Sequence, residues 1–120
     1  MRRGIKSGTD ADLLEMFLEF NSRYFGGRLK VPLKLVFESI NGLGQTYRFR
    51  VHGKRRSRND LFGIRISTRL RWSRRMWMGT LLHEMVHLEQ GLRYNCGWRG
   101  RRFNQRMREL ALMGAFDGLW

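Results

Sequence analysis

The sequence predicts a single α+β domain over residues 1–120, made of an N-terminal helix, a small antiparallel sheet of three short strands, and two further helices. Apolar residues recur at helical spacing in segments 10–24, 74–90 and 101–113. Between the first two segments they alternate with polar residues, as in strands. A chain of 120 residues has the length of one domain and can bury about two-thirds of its unfolded surface. The polar start, residues 1–8, predicts a short flexible lead.

The first helix is predicted from Asp10 to Tyr24. Thr9 and Asp12 have the spacing of a capping box, with Asp in place of the usual Glu. Gly26-Gly27 follows the last apolar residues and predicts the end of the helix. The apolar stripe of this helix is expected to lie in the core.

Three strands are predicted within residues 33–38, 47–51 and 62–67, where apolar and polar residues alternate. We expect the apolar positions, Tyr47 among them, to pack against the helices. The opposite positions carry basic side chains that we expect on one exposed face of the sheet: Arg48, Arg50 and Arg65.

The second helix is predicted over residues 74–90, with Ser73 as its N-cap and Gly91 as its end. The last helix is predicted from residue 101 to residue 113, and the apolar tail 116–120 is expected to dock on the body. The side chains of the last helix that we expect to point inward are Phe103, Met107, Leu110 and Met113.

The second helix contains the motif H-E-x-x-H at residues 83–87. His83 and His87 lie about 40° apart around a helix, so their imidazoles can bind one metal ion together. Glu84 can then reach a zinc-bound water and act as general base. The alternative is a buried helix with two hydrogen-bonded histidines, but an apolar helix that holds these polar groups together favours a metal. The sequence therefore predicts a Zn²⁺ site with His83 and His87 as ligands and Glu84 as the catalytic residue.

The net charge of +14 is concentrated in two blocks, residues 48–75 and 93–108. Such clustering favours nucleic acid over a basic surface without a partner, and an anionic membrane surface is the weaker alternative. The forked guanidinium groups of arginine suit phosphate oxygens. The residues predicted to bind nucleic acid, single-stranded or duplex, are Arg48, Arg50, Lys54, Arg55, Arg56, Arg58 and Arg65.

Tryptophans near these blocks are candidates for stacking on unpaired bases. Trp72 and Trp98 fit this role, whereas core packing is the expectation for Trp77.

The cellular setting is predicted from what the sequence lacks. It has no run of 18 apolar residues, and no apolar segment follows Met1-Arg2-Arg3, so we expect neither a membrane span nor a signal peptide. A single cysteine, Cys96, fits a reducing compartment. We expect a monomer in the cytoplasm, or in the nucleus of a eukaryote.

Several segments together resemble the SprT-like family of zinc metalloproteases, which includes Spartan. Asn21, Tyr24, Phe25 and Leu29 are similar to its N-x-x-Y-F-x-x-x-L segment, Gly63–Ser67 to its strand ending in Ser, and Thr80–His87 to its active-site helix. The ending Gly-Ala-Phe-Asp-Gly-Leu-Trp resembles compact members from phages and prophages. The resemblance implies a minimal zincin fold, a zinc cofactor, and cleavage of proteins bound to or crosslinked on DNA.

One departure from the family concerns the third zinc ligand. The family supplies it from a His-Gly-x-x-Phe segment, and the matching stretch here has Arg99 in place of the histidine. A guanidinium cannot ligate zinc. Four alternatives stay open: Cys96, Glu109 or His52 as ligand, or no third ligand, with Arg99 pairing with Glu84. The second functional hypothesis is therefore a zincin-fold DNA-binding module without turnover.

Overall fold

The computed structural model describes residues 7–49, 61–94 and 100–119, with residues 92–94 described by their backbone alone. Three helices and three strands form the α+β architecture that the sequence predicts. Their order along the chain is α1 Asp10–Tyr24, β1 Lys34–Glu38, β2 Gly44–Arg48, β3 Phe62–Ser67, a 3₁₀ turn Thr68–Leu70, α2 Arg74–Tyr94 and α3 Arg101–Leu112.

Both ends of α1 form as predicted. The Asp12 N–H donates to Thr9 Oγ1 at 3.2 Å, and the Thr9 N–H donates to Asp12 Oδ2 at 2.9 Å, which completes the capping box. Gly26 and Gly27 follow at positive φ, 62° and 71°, a conformation that suits glycine and ends the helix.

The predicted flexible lead does not extend to Gly8. This residue is buried, and its N–H donates to the Arg71 carbonyl at 2.7 Å. A Cβ at this position would lie 2.9 Å from Trp77 and 3.0 Å from Phe37. The prediction for residues 1–6 lies outside the described residues.

The sheet is mixed, so the predicted antiparallel sheet is wrong. The strand order is β1-β3-β2, with β1 parallel and β2 antiparallel to β3. A short loop joins β1 to β2, yet β3 inserts between them. β3 takes the central place because it is the most apolar strand, with all its residues buried except the half-buried Arg65.

The face that β2 turns toward the helices is also the opposite of the predicted one. Thr46 is buried against α2, whereas Tyr47 pairs with Gly63 on the outer face and its ring lies over that glycine. Arg48 ends the strand, and residues 50 and 51 of the predicted strand lie outside the described residues. The inner face of β2 carries a small polar residue because it contacts a polar part of α2.

Arg48 and Arg65 lie on opposite faces of the sheet, so the expectation of one shared basic face is wrong. Arg48 is the register partner of Phe62, three positions from Arg65, and such positions point to opposite sides of a strand. The Arg48 guanidinium lies 5.2 Å from the centre of the Phe62 ring. Arg65 instead stacks on Tyr47, at 4.2 Å, and its Nη1 lies 2.9 Å from Glu38 Oε2.

The second helix is longer than predicted. Ser73 is its N-cap, because Ser73 Oγ accepts from the Met76 N–H at 3.4 Å. Gly91 does not end it, and α2 continues to Tyr94. Buried side chains from this helix, α1 and the inner face of the sheet form one core, whose largest members include Leu13, Phe17, Ile64, Ile66, Trp77, Leu81 and Met85.

The third helix packs through Phe103, Met107 and Leu110 as predicted, but Met113 is largely exposed. The tail after α3 docks on the core through Phe116 and Leu119, which confirms that expectation. In the part of the chain that the structure describes, no helix has both the length and the apolar character needed to cross a membrane.

Candidate metal centre

His83 and His87 lie one turn apart on α2 and are both half-buried. Their ring centroids are 4.9 Å apart. The ligand atoms of His83, Glu84 and His87 all lie within 4.8 Å of one another, so the three form a group that could hold a metal ion. Within the described ranges it is the only such group of His, Cys, Asp and Glu side chains. The sequence-predicted zinc ligands and catalytic base are therefore brought together.

Glu84 is buried, with 5% of its surface exposed. Its Oε1 accepts a hydrogen bond of 2.9 Å from the Thr46 hydroxyl. Burial raises the pKa of Glu84 to about 7, and the hydrogen bonds from Thr46 oppose that shift. Among the described residues, no lysine or arginine forms an ion pair with this carboxylate. A carboxyl group with a pKa near neutrality is suited to accept and release protons.

The Thr46 hydroxyl also lies 3.0 Å from the backbone carbonyl of Glu84. A hydroxyl has one proton to donate and can accept as well. It can donate to the ionised carboxylate, or donate to the carbonyl while it accepts from the protonated carboxyl group. Thr46 therefore holds the Glu84 side chain in either protonation state.

Gly44 allows β2 to approach α2 at this point. A Cβ on Gly44 would lie 2.8 Å from Thr80 Cγ2, a distance that real Cβ atoms essentially never show, and 3.1 Å from Glu84 Cγ, a tight contact. The absence of a side chain brings the strand close enough for Thr46 to reach Glu84.

Phe103 of α3 packs against both imidazoles. Its ring stacks on His87 with centroids 4.2 Å apart and an angle of 13° between the planes. It meets His83 nearly at right angles, at 5.2 Å. These contacts restrict how the two imidazoles can turn.

The donor set fits a zinc ion. Burial lowers the pKa of His83 and so favours the neutral imidazole, the form that ligates a metal. Two imidazoles with a neighbouring carboxylate are ligands that Zn²⁺ accepts readily.

In comparisons with known proteins, no family model, curated protein or solved structure matches the chain. The function is therefore inferred from the residues of this centre and from their geometry.

The structure bears on one of the candidates for a third ligand. Glu109 lies on the exposed side of α3 and pairs with Arg106 at 3.3 Å, outside the group formed by the histidines. Cys96, His52 and Arg99 lie outside the described residues. The position of Glu109 speaks against it as the third ligand. Cys96, His52 and a site without a third ligand are the alternatives that are left.

Most residues predicted to bind nucleic acid also fall outside the described part of the chain: Arg50, Lys54, Arg55, Arg56 and Arg58. Arg48 and Arg65 are described, on opposite faces of the sheet. Of the three tryptophans considered for stacking, Trp77 is a core residue with 2% exposure, Trp72 is 62% exposed, and Trp98 is not among the described residues.

Sequence reasoning missed three residues that shape this centre. Thr46 and Gly44 place and hold Glu84, and Phe103 was expected in the core rather than against the histidines. The one signal in the sequence is that positions 44 and 46 put a glycine and a small polar residue on the same face of β2.

Proposed function

We propose that the protein is a zinc-dependent metallopeptidase of the SprT-like type that acts on protein bound to or crosslinked on DNA. The observation that carries this proposal is the buried Glu84 carboxyl beside two imidazoles, with no cationic side chain of the described residues to neutralise it. His83 and His87 would hold the ion. When bound, zinc polarises the scissile carbonyl and lowers the pKa of water to near 7.

Glu84 is the general base in this proposal. Its Oε1 is held by the Thr46 hydroxyl, and Oε2 accepts no hydrogen bond from the described residues. Oε2 is therefore the atom that takes the proton from the attacking water and passes it to the nitrogen of the leaving amine. Burial raises the pKa of this carboxyl group, which favours its acceptance of a proton from water.

The nucleic-acid part of the proposal is supported by the net charge of +14. A charge of this size attracts a polyanion and makes its binding dependent on salt concentration. Members of the SprT-like family, which this chain resembles, act on DNA-associated protein. The basic character of this chain fits that substrate class.

A second candidate function is a DNA-binding module without turnover, favoured by Arg99 at the position of the third ligand. Glu84 supports the peptidase instead. A module without turnover has no chemical need for a buried carboxyl group that no cation of the described residues neutralises, because burying such a group costs free energy.

Substitution of Glu84 by Gln tests the peptidase. We expect the cleavage rate of a DNA-bound protein substrate to fall by about 10²–10⁴-fold, the range for loss of a general base, while DNA affinity stays unchanged. Glu15→Gln on exposed α1 surface makes the same chemical change as a control and should retain full activity. Cleavage that persists in Glu84→Gln at the control rate contradicts the mechanism.

A further inference from the structure

We propose that an exposed patch at the start of α2 binds single-stranded nucleic acid and presents it to the metal centre. The proposal rests on the proposed function for the role of this binding, and the binding itself can be measured without peptidase activity. The members of the patch, here called the Trp72 patch, are all exposed: Arg69, Trp72, Arg74, Arg75 and Met76.

The Trp72 patch is cationic without local compensation. No Asp or Glu occurs between residues 61 and 83. In the described part of the chain, no carboxylate lies within 4.0 Å of the guanidinium groups of Arg69, Arg74 or Arg75. Three cations within seven residues of the chain therefore reach solvent and are available to an anionic ligand.

Two of these arginines are held in place. Arg69 Nη2 donates to the Gly42 carbonyl at 2.8 Å, and its Nε donates to Ser67 Oγ at 3.1 Å. The Arg74 guanidinium lies 5.4 Å from the ring centre of the buried Trp77. Cations fixed in this way lose little side-chain entropy when they bind phosphate.

Folding stability does not account for Trp72 or for the two arginines of the first turn, Arg74 and Arg75. Arginines in the first turn of a helix oppose its dipole, and the first turn of α2 has no acidic residue to offset them. Trp72, one residue before the N-cap, has the position from which a hydrophobic staple would reach Trp77. Its ring is instead 62% exposed, and it makes no ring contact with another aromatic residue of the described chain.

The combination of side chains selects the ligand. The guanidinium groups of arginine bind phosphate oxygens. An exposed indole ring stacks on a base that is not already stacked in a duplex. An acidic peptide would satisfy the arginines and leave the Trp72 ring without a partner. A single-stranded nucleic acid can contact the arginines through its phosphates and the Trp72 ring through a base, so it is the ligand that this surface fits.

The patch is also placed to serve the metal centre. Within the patch, Met76 lies on the same stripe of α2 as His83 and His87, within an arc of about 40°. It lies about 10 Å from His83 along the helix axis. About three extended residues span that distance, so a peptide attached to a strand bound at the patch can reach the histidines.

The test is fluorescence anisotropy with a labelled deoxythymidine oligonucleotide of about 12 nucleotides, a length within the usual site sizes. All proteins carry Glu84→Gln, so that peptidase activity plays no part in the readout. We expect Trp72→Ala to weaken binding about tenfold and Trp72→Phe to restore most of the affinity. Arg74→Gln with Arg75→Gln should reduce the slope of log affinity against log salt by about 1.4, at about 0.7 for each phosphate contact to a single strand.

The matched controls are Leu112→Ala, an exposed apolar residue on α3, and Arg23→Gln with Arg108→Gln, which removes the same charge elsewhere. These variants should bind within about twofold of the parent. The proposal is overturned if Trp72→Ala binds as the parent does, or if the charge control weakens binding as much as the patch variant. It is also overturned if a duplex or poly-glutamate shows the same dependence on Trp72. Loss of peptide cleavage in an otherwise wild-type Trp72→Ala protein on a nucleic-acid-free peptide would instead assign Trp72 to the peptidase site.

Discussion

Two glutamates on α2, five residues apart, are buried to the same extent and have opposite surroundings. Glu84 is 5% exposed and Glu89 is 6% exposed. Glu89 lies 3.0 Å from Arg106 Nε and 3.7 Å from Arg28 Nη2. Glu84 has a hydroxyl group from Thr46 and no cation among the described residues. One helix therefore carries a carboxylate that arginines neutralise and one that no cation of the described residues neutralises.

We interpret this difference as one between a structural role for Glu89 and the functional role proposed for Glu84. Arg106 joins three helices, since it pairs with Glu89 of α2 and also donates to the carbonyl of Tyr24 at the end of α1. That network accounts for the burial of Glu89. Among the described residues, no ion pair compensates the burial of Glu84, and a buried carboxyl with a perturbed pKa beside side chains that could hold a metal is typical of an active site.

The largest expected effect on stability belongs to the Glu89 network. Arg106→Met should lower the free energy of unfolding by about 3 kcal/mol, because among the described residues it leaves the buried Glu89 with Arg28, at 3.7 Å, as its remaining cationic partner. Urea denaturation measures this loss. Arg108→Met, an exposed position two residues away, should change the stability by less than about 0.5 kcal/mol. A loss below about 1 kcal/mol for Arg106→Met would remove the structural assignment of this network.

An intermediate effect is expected from Thr46→Val, which keeps the side-chain shape and removes the hydroxyl group. Glu84 then loses the hydrogen bond to Oε1, and the free energy of unfolding should fall by about 1–2 kcal/mol. Peptide cleavage should fall as well, because Glu84 is no longer held. Thr68→Val, in the 3₁₀ turn, makes the same change away from the centre and should retain activity. Full activity in Thr46→Val would show that Glu84 does not need this contact.

The smallest expected effect on stability comes from Glu84→Gln. This substitution is the most informative test of the comparison between Glu84 and Glu89. The amide retains an acceptor for Thr46 and removes a buried acid, so the free energy of unfolding should change by less than about 1 kcal/mol. The same substitution at Glu89 should cost about 2 kcal/mol, since it breaks a buried ion pair. Chemical denaturation of the two variants side by side measures the difference. Equal losses at both positions would refute the separation of roles.

Features set by neighbours along the chain could be predicted from the sequence. The capping box at Thr9, the N-cap at Ser73 and the pairing of His83 with His87 depend on spacings of three or four residues within one helix. Such spacings fix geometry wherever a helix forms. For this reason the centre of the candidate site was predicted with its residues in place.

Features set by contacts between distant segments could not be predicted. The alternation in β2 is equally compatible with either face turned inward, and Thr46 faces inward because Glu84 lies there. β3 lies between β1 and β2 because it is the most deeply buried of the three strands. The short loop between β1 and β2 gives no sign of this order. Arg106 was counted with a basic block, and its contacts with Glu89 and Tyr24 depend on the packing of three helices.

The central claim is that His83 and His87 hold a zinc ion beside Glu84. The most direct test is the metal content of the purified, folded protein, compared with that of His83→Ala prepared in the same way. The proposed centre predicts stoichiometric zinc in the parent protein and its loss in the variant. A folded parent protein that contains no zinc and takes none up on dialysis against it would contradict the claim.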